Sequence, residues 1–348
     1  MLYTLTDKIR LERATYQIHR PDPCYIISSS QSYSAMRWSG RKLVLAIGGS
    51  MISFTIFLCL LNSISFSCHC EEKEVREVLC CSDSRPIKKQ QGEGELPQPT
   101  IYVITPTYKR MEQIPELTRL AQTLMHVPNL HWIVGDDTSE PNRHIVEYLS
   151  QTGIPHTYLL TPMPKQYRTR SKALPKGVAN RNAGLKWLRK HATQGVVYFA
   201  DDDNTYDIRI FEEIRRTKRV SAFPVGLVTS YGLSTPVVKN GSFFDWYDGW
   251  RGGRKFPVDM AGFAFSVPYL LQKPKAIMPY KAGFEEDGFL RSLQIDPKEV
   301  EFLADGCTKI YVWHTKTRPN KPSKKTILNT KYDGTNLRQL QKDMILEM

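Results

Sequence analysis

Apolar positions follow several rhythms along this chain, and the first is unbroken. From Leu43 to Ser67 there is no charged residue, enough to cross a bilayer core of ~30 Å at ~1.5 Å per helical residue. Arg37, Trp38, Arg41 and Lys42 precede the run, and Glu71, Glu72 and Glu74 follow it. By the positive-inside rule residues 1–42 form a cytoplasmic tail, residues 43–67 a transmembrane signal-anchor, and the remainder is luminal. A cleaved signal peptide is the competing reading. The run is too long for one, begins far from Met1 and lacks a clear small-residue cleavage site, although Ser50, Ser53 and Asn62 moderate its hydropathy. Residues 68–98 read as a luminal stem, with little to bury between Ser82 and Pro99.

At Thr100 the rhythm changes to alternating strand and helix signals. Ile101–Ile104 is β-rich, and Glu112–Met125 places Ile114, Leu117, Leu120 and Leu124 at helical spacing. His131–Val134 reads as a strand running into Asp136-Asp137, and Thr157–Leu160 as another. Gly177–His191 reads as a helix with Val178, Leu185 and Leu188 on one side. Val196–Phe199 is continuously apolar, as in a strand buried on both faces of a parallel sheet, and runs into Asp201-Asp202-Asp203. A helix is expected over Ile208–Arg216 and a strand over Ile310–Trp313. The alternation predicts an α/β fold with a mostly parallel, Rossmann-like sheet. Such sheets bind ligands at the carboxyl ends of their strands, where Tyr108, Asp136 and Asp201–Asp203 fall. After Ser221 glycines and aromatics become denser, and the pattern reads as mixed α+β.

Composition sharpens this in two places. The net charge of +13 points to an anionic partner, though the basic residues of Lys165–Lys176 and the tail (Lys316, Arg318, Lys321, Lys324, Lys325, Lys331) read first as solvated surface. Of seven cysteines only Cys307 lies beyond residue 85, so the C-terminal region stands on its own core. Cys68-His69-Cys70 with Cys80-Cys81 fits no standard zinc spacing; beside a span, acylation or inter-chain disulfides suit it better.

Three adjacent carboxylates at a strand end repel one another unless a cation sits among them. Hard oxygen donors suit Mn²⁺ or Mg²⁺ with diphosphate oxygens completing the shell. The plainer reading is an acidic turn, or a helix N-cap through Asp203-Asn204-Thr205. No GxGxxG or Walker glycine loop precedes the cluster, which disfavours kinases, ATPases and dehydrogenases. Phosphates here would need basic side chains, and Lys176 and Arg181 stand at the front of a helix. In Gly283-Phe284-Glu285-Glu286-Asp287 a carboxylate is either a general base or a favourable charge at a helix start. His314 ends a strand, where it either fills the core or points into the site.

Thr100–Tyr108, Val197–Tyr206, Phe256–Phe263, Asp296-Pro297-Lys298 and Val312–Thr315 together resemble the β-1,3-glucuronyltransferases of animals, over essentially all of Pro99 to Pro319. The resemblance implies a GT-A type nucleotide-sugar transferase fold, with residues 99–205 as the UDP-binding half, 206–320 as a mixed α+β acceptor half and 321–348 as a tail. It also implies a Golgi type II membrane protein, a homodimer, UDP-glucuronate as donor, Mn²⁺ as cofactor, and inverting transfer to the 3-hydroxyl of a galactose-terminated glycan. By motif, Tyr108 and Asp136 look like nucleoside contacts, Asp201 and Asp202 line the donor site, and Asp203 resembles the direct Mn²⁺ ligand. Arg181 and His314 look like diphosphate or donor contacts, Trp250, Arg254 and Asp259 like the acceptor and donor-sugar side, and Glu286 like the general base. Lys176 and Lys316 stand where arginine is expected, which keeps charge but loses the bidentate fork. The choice of Glu286 over Glu285 rests on aligning the following Phe289–Leu293.

In this light the positive charge serves a donor carrying a diphosphate and a carboxylate, and nucleic acid becomes unnecessary. A transferase for another UDP-sugar, or an inactive luminal glycan-binding relative, are the alternatives. The acceptor class stays open between the proteoglycan linkage region and N-acetyllactosamine-type glycans. Asn240-Gly241-Ser242 is a candidate N-glycosylation site.

Overall fold

The computed structural model describes residues 76–78, 98–168, 173–321 and 327–342. The apolar run at 43–67, the tail before it and the early cysteines lie outside the described residues, among which no helix is long and apolar enough to cross a membrane. The first half contains β1 (Arg76–Val78), β2 (Ile101–Thr107), α1 (Gln113–Leu124), β3 (Leu130–Asp136), α2 (Arg143–Gln151), β4 (His156–Leu160), α3 (Val178–His191) and β5 (Val196–Phe199). The second contains β6 (Thr205–Tyr206), α4 (Arg209–Ile214), β7 (Val220–Ala222), β8 (Val225–Gly226), β9 (Leu233–Lys239), β10 (Ser242–Tyr247), β11 (Phe263–Ser266), α5 (Val267–Leu271), α6 (Glu285–Ser292), β12 (Glu301–Phe302), β13 (Val312–Trp313) and α7 (Asn336–Gln341).

The larger sheet runs β1-β4-β3-β2-β5-β11-β7-β12. Its β4-β3-β2-β5 portion is parallel, as the alternating pattern predicts. Beyond β5 the order is mixed, because β11 enters antiparallel to both β5 and β7. The expectation of a mostly parallel sheet therefore holds for the first half only. Residues of the expected stem add β1, an antiparallel edge on β4. The smaller sheet runs β10-β9-β8-β13-β6, and its β13–β6 pairing brings Trp313 opposite Thr205.

Helices cover both faces of the larger sheet, which explains the near-continuous apolar strands. On one face Leu117 and Leu120 of α1, Ile145 and Leu149 of α2 and Phe211 of α4 pack on Val103, Trp132 and Tyr198. On the other, Val178, Leu185 and Leu188 of α3 and Phe289 of α6 pack on Ile104, Ile133 and Phe199. The α3 helix lies close to the sheet because Gly184 faces Ile104, where an added Cβ would come within 2.8 Å. Helix α4 is shorter than the sequence suggests and has no side-chain N-cap, so capping does not account for Asp203 or Asn204.

Candidate active site

Parallel β2, β3 and β5 end on one edge of the sheet, and a chain of polar contacts links their ends. Tyr158 donates to Asp136 Oδ2 at 2.7 Å, and Gln113 Nε2 reaches Asp136 Oδ1 and Thr107 Oγ1, both at 3.2 Å. Thr107 donates in turn to Asp202 Oδ2 at 2.8 Å, whose Oδ1 meets Arg110 Nη2 at 2.7 Å. Burial raises the Asp202 pKa to about 6, outweighing the Arg110 charge and the Thr107 hydrogen bond that oppose it.

The three consecutive aspartates thus do not gather around one point. Asp201 is ion-paired with Arg181, Asp202 with Arg110, and Asp203 has no arginine among the described residues. Its backbone carbonyl accepts from Thr315 Oγ1 at 2.6 Å and its Oδ2 from the Thr317 N–H at 3.3 Å. The repulsion inferred from sequence is relieved by the protein's own cations. Among the described residues no three acidic, histidine or cysteine side chains group as a metal cage. The donor set at Asp203 fits a hard cation that takes one protein carboxylate and completes its shell with ligand oxygens and water.

Around this edge stand the expected anion-binding groups. Tyr108, 47% exposed, has the Arg110 guanidinium 4.6 Å and the Lys176 Nζ 5.9 Å from its ring centre. Lys176 and Lys316 are both exposed. Arg181 is buried, with its Nε lacking a partner, so it acts first as the counter-ion of Asp201. Gly177, in the left-handed region at φ 72°, leaves room for the Arg181 guanidinium where a Cβ would collide. Asp136 sits differently from the sequence expectation. It is 1% exposed with both oxygens accepting from Tyr158 and Gln113, and burial raises its pKa. It anchors the strand end, although it borders a cavity of about 270 Å³ with Lys109, Thr138 and Arg143. Its neighbour Asp137 is more accessible and pairs with Arg168 at 2.6 Å.

Beside the strand ends lies a second group. Asp259 accepts the Ala261 N–H at 3.0 Å through Oδ1 and meets His314 Nδ1 at 2.7 Å through Oδ2. It is buried and supports His314 rather than lying open to a sugar. The Asp259 hydrogen bond raises the His314 pKa, while Nε2 stays on the far side of the ring from that contact. Glu285 and Glu286 begin α6. The Glu286 carboxyl is desolvated enough to raise its pKa to about 7, and the charges of Asp259 and Glu285 push the same way against a weaker pull from Arg181. Glu285 is raised by burial too. Asp287 is excluded as a base: it accepts the Phe256 N–H at 2.9 Å and Arg291 Nε at 2.8 Å.

Trp250 is 45% exposed, with the Arg254 guanidinium 4.4 Å from one ring and Phe284 edge-on at 5.6 Å. Arg254 is buried against Asp248 at 3.1 Å, so it braces Trp250 and offers little open surface of its own. Asn240, at φ 52°, and Gly241, at φ 73°, form the exposed β9–β10 turn; hairpin geometry alone accounts for this Asn-Gly pair.

Sequence reasoning missed Arg110, Arg168, Asp248, Thr315 and Thr317. Arg110 lay three residues past the strand end, within reach of the aspartates. For Asp136 a signal was present: period two puts it on the face of Trp132 and Val134, beneath α1.

A doubly covered α/β sheet, with paired acids at its strand ends, a carboxylate-bound histidine and a desolvated glutamate that feels the charge of that same carboxylate, defines a ligand-binding α/β protein with acid–base potential. The chain belongs to glycosyltransferase family 43, whose profile matches residues 120–318. It is 52% identical over 248 residues to Drosophila melanogaster galactosylgalactosylxylosylprotein 3-beta-glucuronosyltransferase P, covering 71% of this chain and 52% of that protein. It is 50% identical over 241 residues to the D. melanogaster protein of that name with suffix S, covering 69% and 59%, and 44% identical over 242 residues to human galactosylgalactosylxylosylprotein 3-beta-glucuronosyltransferase 3, covering 64% and 72%. The matched region thus spans little more than half the length of the two fly relatives. Among solved structures, S. aureus TarS 1–349 in complex with UDP-GlcNAc superposes with a TM-score of 0.41 at 15% identity, over 66% of this chain and 62% of that one, too distant to assign any residue.

Proposed function

We propose that this protein transfers glucuronic acid from UDP-glucuronate to the 3-hydroxyl of a terminal β-galactose, with inversion at the anomeric carbon. The observation that carries the reading is Glu286. It has a pKa near 7, forms no ion pair among the described residues, and lies within electrostatic reach of Asp259 and Arg181. A carboxylate so poised removes a hydroxyl proton at neutral pH as that oxygen attacks. One positioned base suits inversion. The names of the relatives supply the glucuronyl group and the galactosyl acceptor.

Lys176, Lys316 and protonated His314 balance the charge of a diphosphate and of the departing UDP. Asp259 favours the protonated form of His314 through its hydrogen bond to Nδ1. Tyr108 offers a ring face to the uracil, and Arg110 and Arg181 fix the aspartates behind it. Asp203 is the carboxylate that would hold Mn²⁺, which supplies Lewis-acid assistance to the leaving group when bound. Trp250 lies on the acceptor side. The reading includes residues 43–67 as a Golgi signal-anchor with a luminal catalytic domain, and a homodimer.

The test is transfer by the purified protein with manganese, offering UDP-glucuronate, UDP-galactose and UDP-N-acetylglucosamine against galactose-β1,3-galactose and N-acetyllactosamine acceptors. β-Linked glucuronate on galactose is expected from UDP-glucuronate alone. Equal transfer from another donor, or donor hydrolysis without transfer, would overturn the reading.

A further inference from the structure

Beyond Trp250 a second pair of aromatic rings stands in solvent. Tyr231 is 58% and Tyr247 44% exposed, their ring centres lie 5.2 Å apart and their planes are inclined by 34°, which makes a shallow open notch. A packed pair of exposed aromatics calls for explanation where single ones do not.

The backbone around the notch is strained and tied. Leu227 at φ 60° and Thr229 at φ 58° both lie in the left-handed region, an unfavourable place for a β-branched residue. Such strain persists only where surrounding contacts hold it, and it gathers at functional loops. Here Leu227 N–H donates to Gly232 O at 2.8 Å, and Thr229 Oγ1 accepts the Gly249 N–H at 3.1 Å. That second bond fastens the Tyr231 loop to the residue preceding Trp250. On the other side Trp250 meets Phe284, two residues before Glu286. Phe284 and Trp250 are thus in ring contact close to the base, and the loop carrying Tyr231, with its partner Tyr247, is tied to them through the Thr229–Gly249 hydrogen bond. The neighbouring Arg251 is neutralised by Asp245 at 2.6 Å, so the notch is not built around an unpaired cation.

We infer that Tyr231 and Tyr247 form a distal subsite that stacks on the apolar face of a neutral pyranose, one or two sugars removed from the residue attacked. This rests on the glycan-transfer reading above. A pyranose presents C–H groups on one face and hydroxyls at its rim, which matches an aromatic face bordered by phenol hydroxyls. The protein therefore prefers an extended neutral oligosaccharide to a simple galactoside.

The test compares the intact protein with Tyr231→Ala, Tyr247→Ala and the double variant, on methyl β-galactoside and on neutral galactose-terminated di- and trisaccharides. The double variant is expected to lose roughly tenfold in kcat/KM on the trisaccharide, through KM. Methyl β-galactoside serves as the reference that does not reach the notch, and Tyr231→Phe with Tyr247→Phe should keep most of the preference. Saturation-transfer NMR of the trisaccharide without donor gives a readout independent of turnover: internal-sugar protons should be saturated by the intact protein and not by the double alanine variant. Equal saturation in both, or an equal loss on the long and short acceptors, overturns the subsite. Contrasting saturation with no glucuronyl transfer by either protein upholds the subsite and overturns only the reading of the activity.

Discussion

At the strand ends, Asp137, Asp201 and Asp202 each close on an arginine, whereas at the start of α6 neither Glu285 nor Glu286 has an ion pair among the described residues. Both regions concentrate carboxylates. In the first, paired cations hold the charge in place and fix the geometry of the edge. In the second, desolvation without a counter-ion leaves a carboxyl close to its titration point at neutral pH. A site that binds charge and also moves a proton needs both treatments, and this chain keeps them on different elements.

The comparison breaks most sharply at Glu286. Replacing it with Gln should lower turnover by ~10²–10⁴-fold while UDP binding, measured by calorimetry, stays near the intact value; near-normal turnover would remove Glu286 as base. The same variant should be more stable in alkaline solution. A carboxyl whose pKa rises from 4.5 to about 7 on folding favours the fold below pH 4.5 and loses that contribution as pH climbs through 7. Glu286→Gln therefore gains on the order of 2 kcal/mol at pH 8 and nothing at pH 4, read as a difference in thermal midpoint. No gain at pH 8 would mean the side chain is better solvated than described.

On the paired side the effect reverses. Arg110→Met leaves Asp202 buried without its cation, and stability should fall by about 3–5 kcal/mol at pH 8, less near pH 5 where Asp202 is protonated. A denaturation midpoint insensitive to this change would show the pair to be dispensable. Asp259→Asn acts on both groups that feel its charge. Asp259 raises the pKa of His314 and of Glu286, so both limbs of the pH–activity profile should move to lower pH; a fixed profile would detach Asp259 from the chemistry. Smallest is Tyr158→Phe, which takes one donor from buried Asp136 and should cost about 1–3 kcal/mol, without changing the pH profile.

Much of the parallel core was legible because residues buried on both faces leave continuous apolar runs, as at Val196–Phe199. The insertion of β11 between β5 and β7 was not legible, since nothing local in Phe263–Ser266 specifies its direction or its neighbours. The aspartate run was read as three charges awaiting a cation. The arginines that pair with two of them come from positions 20 and 92 residues away in the chain, and sequence proximity carries no information about such partners. The Asp259–His314 contact spans 55 residues and was hidden for the same reason. Asp259 and His314 were each singled out, but their pairing was not.

The segment after β13 also governs when the site comes into being. Thr317 bonds to Glu116 across 201 residues, and Asn320 to Glu112 across 208, at 2.6 Å from its N–H. Both glutamates are nearly inaccessible to water, so until residues 312–320 leave the ribosome Glu116 has only Arg119 of its own helix, Glu112 lacks its Asn320 contacts, and the aspartate edge lacks His314, Lys316 and the Thr315 and Thr317 contacts. Contacts of such long range form late and slowly. The ligand-binding edge is thus completed by β13 joining β8 and β6, so the parallel core can be in place before the site exists.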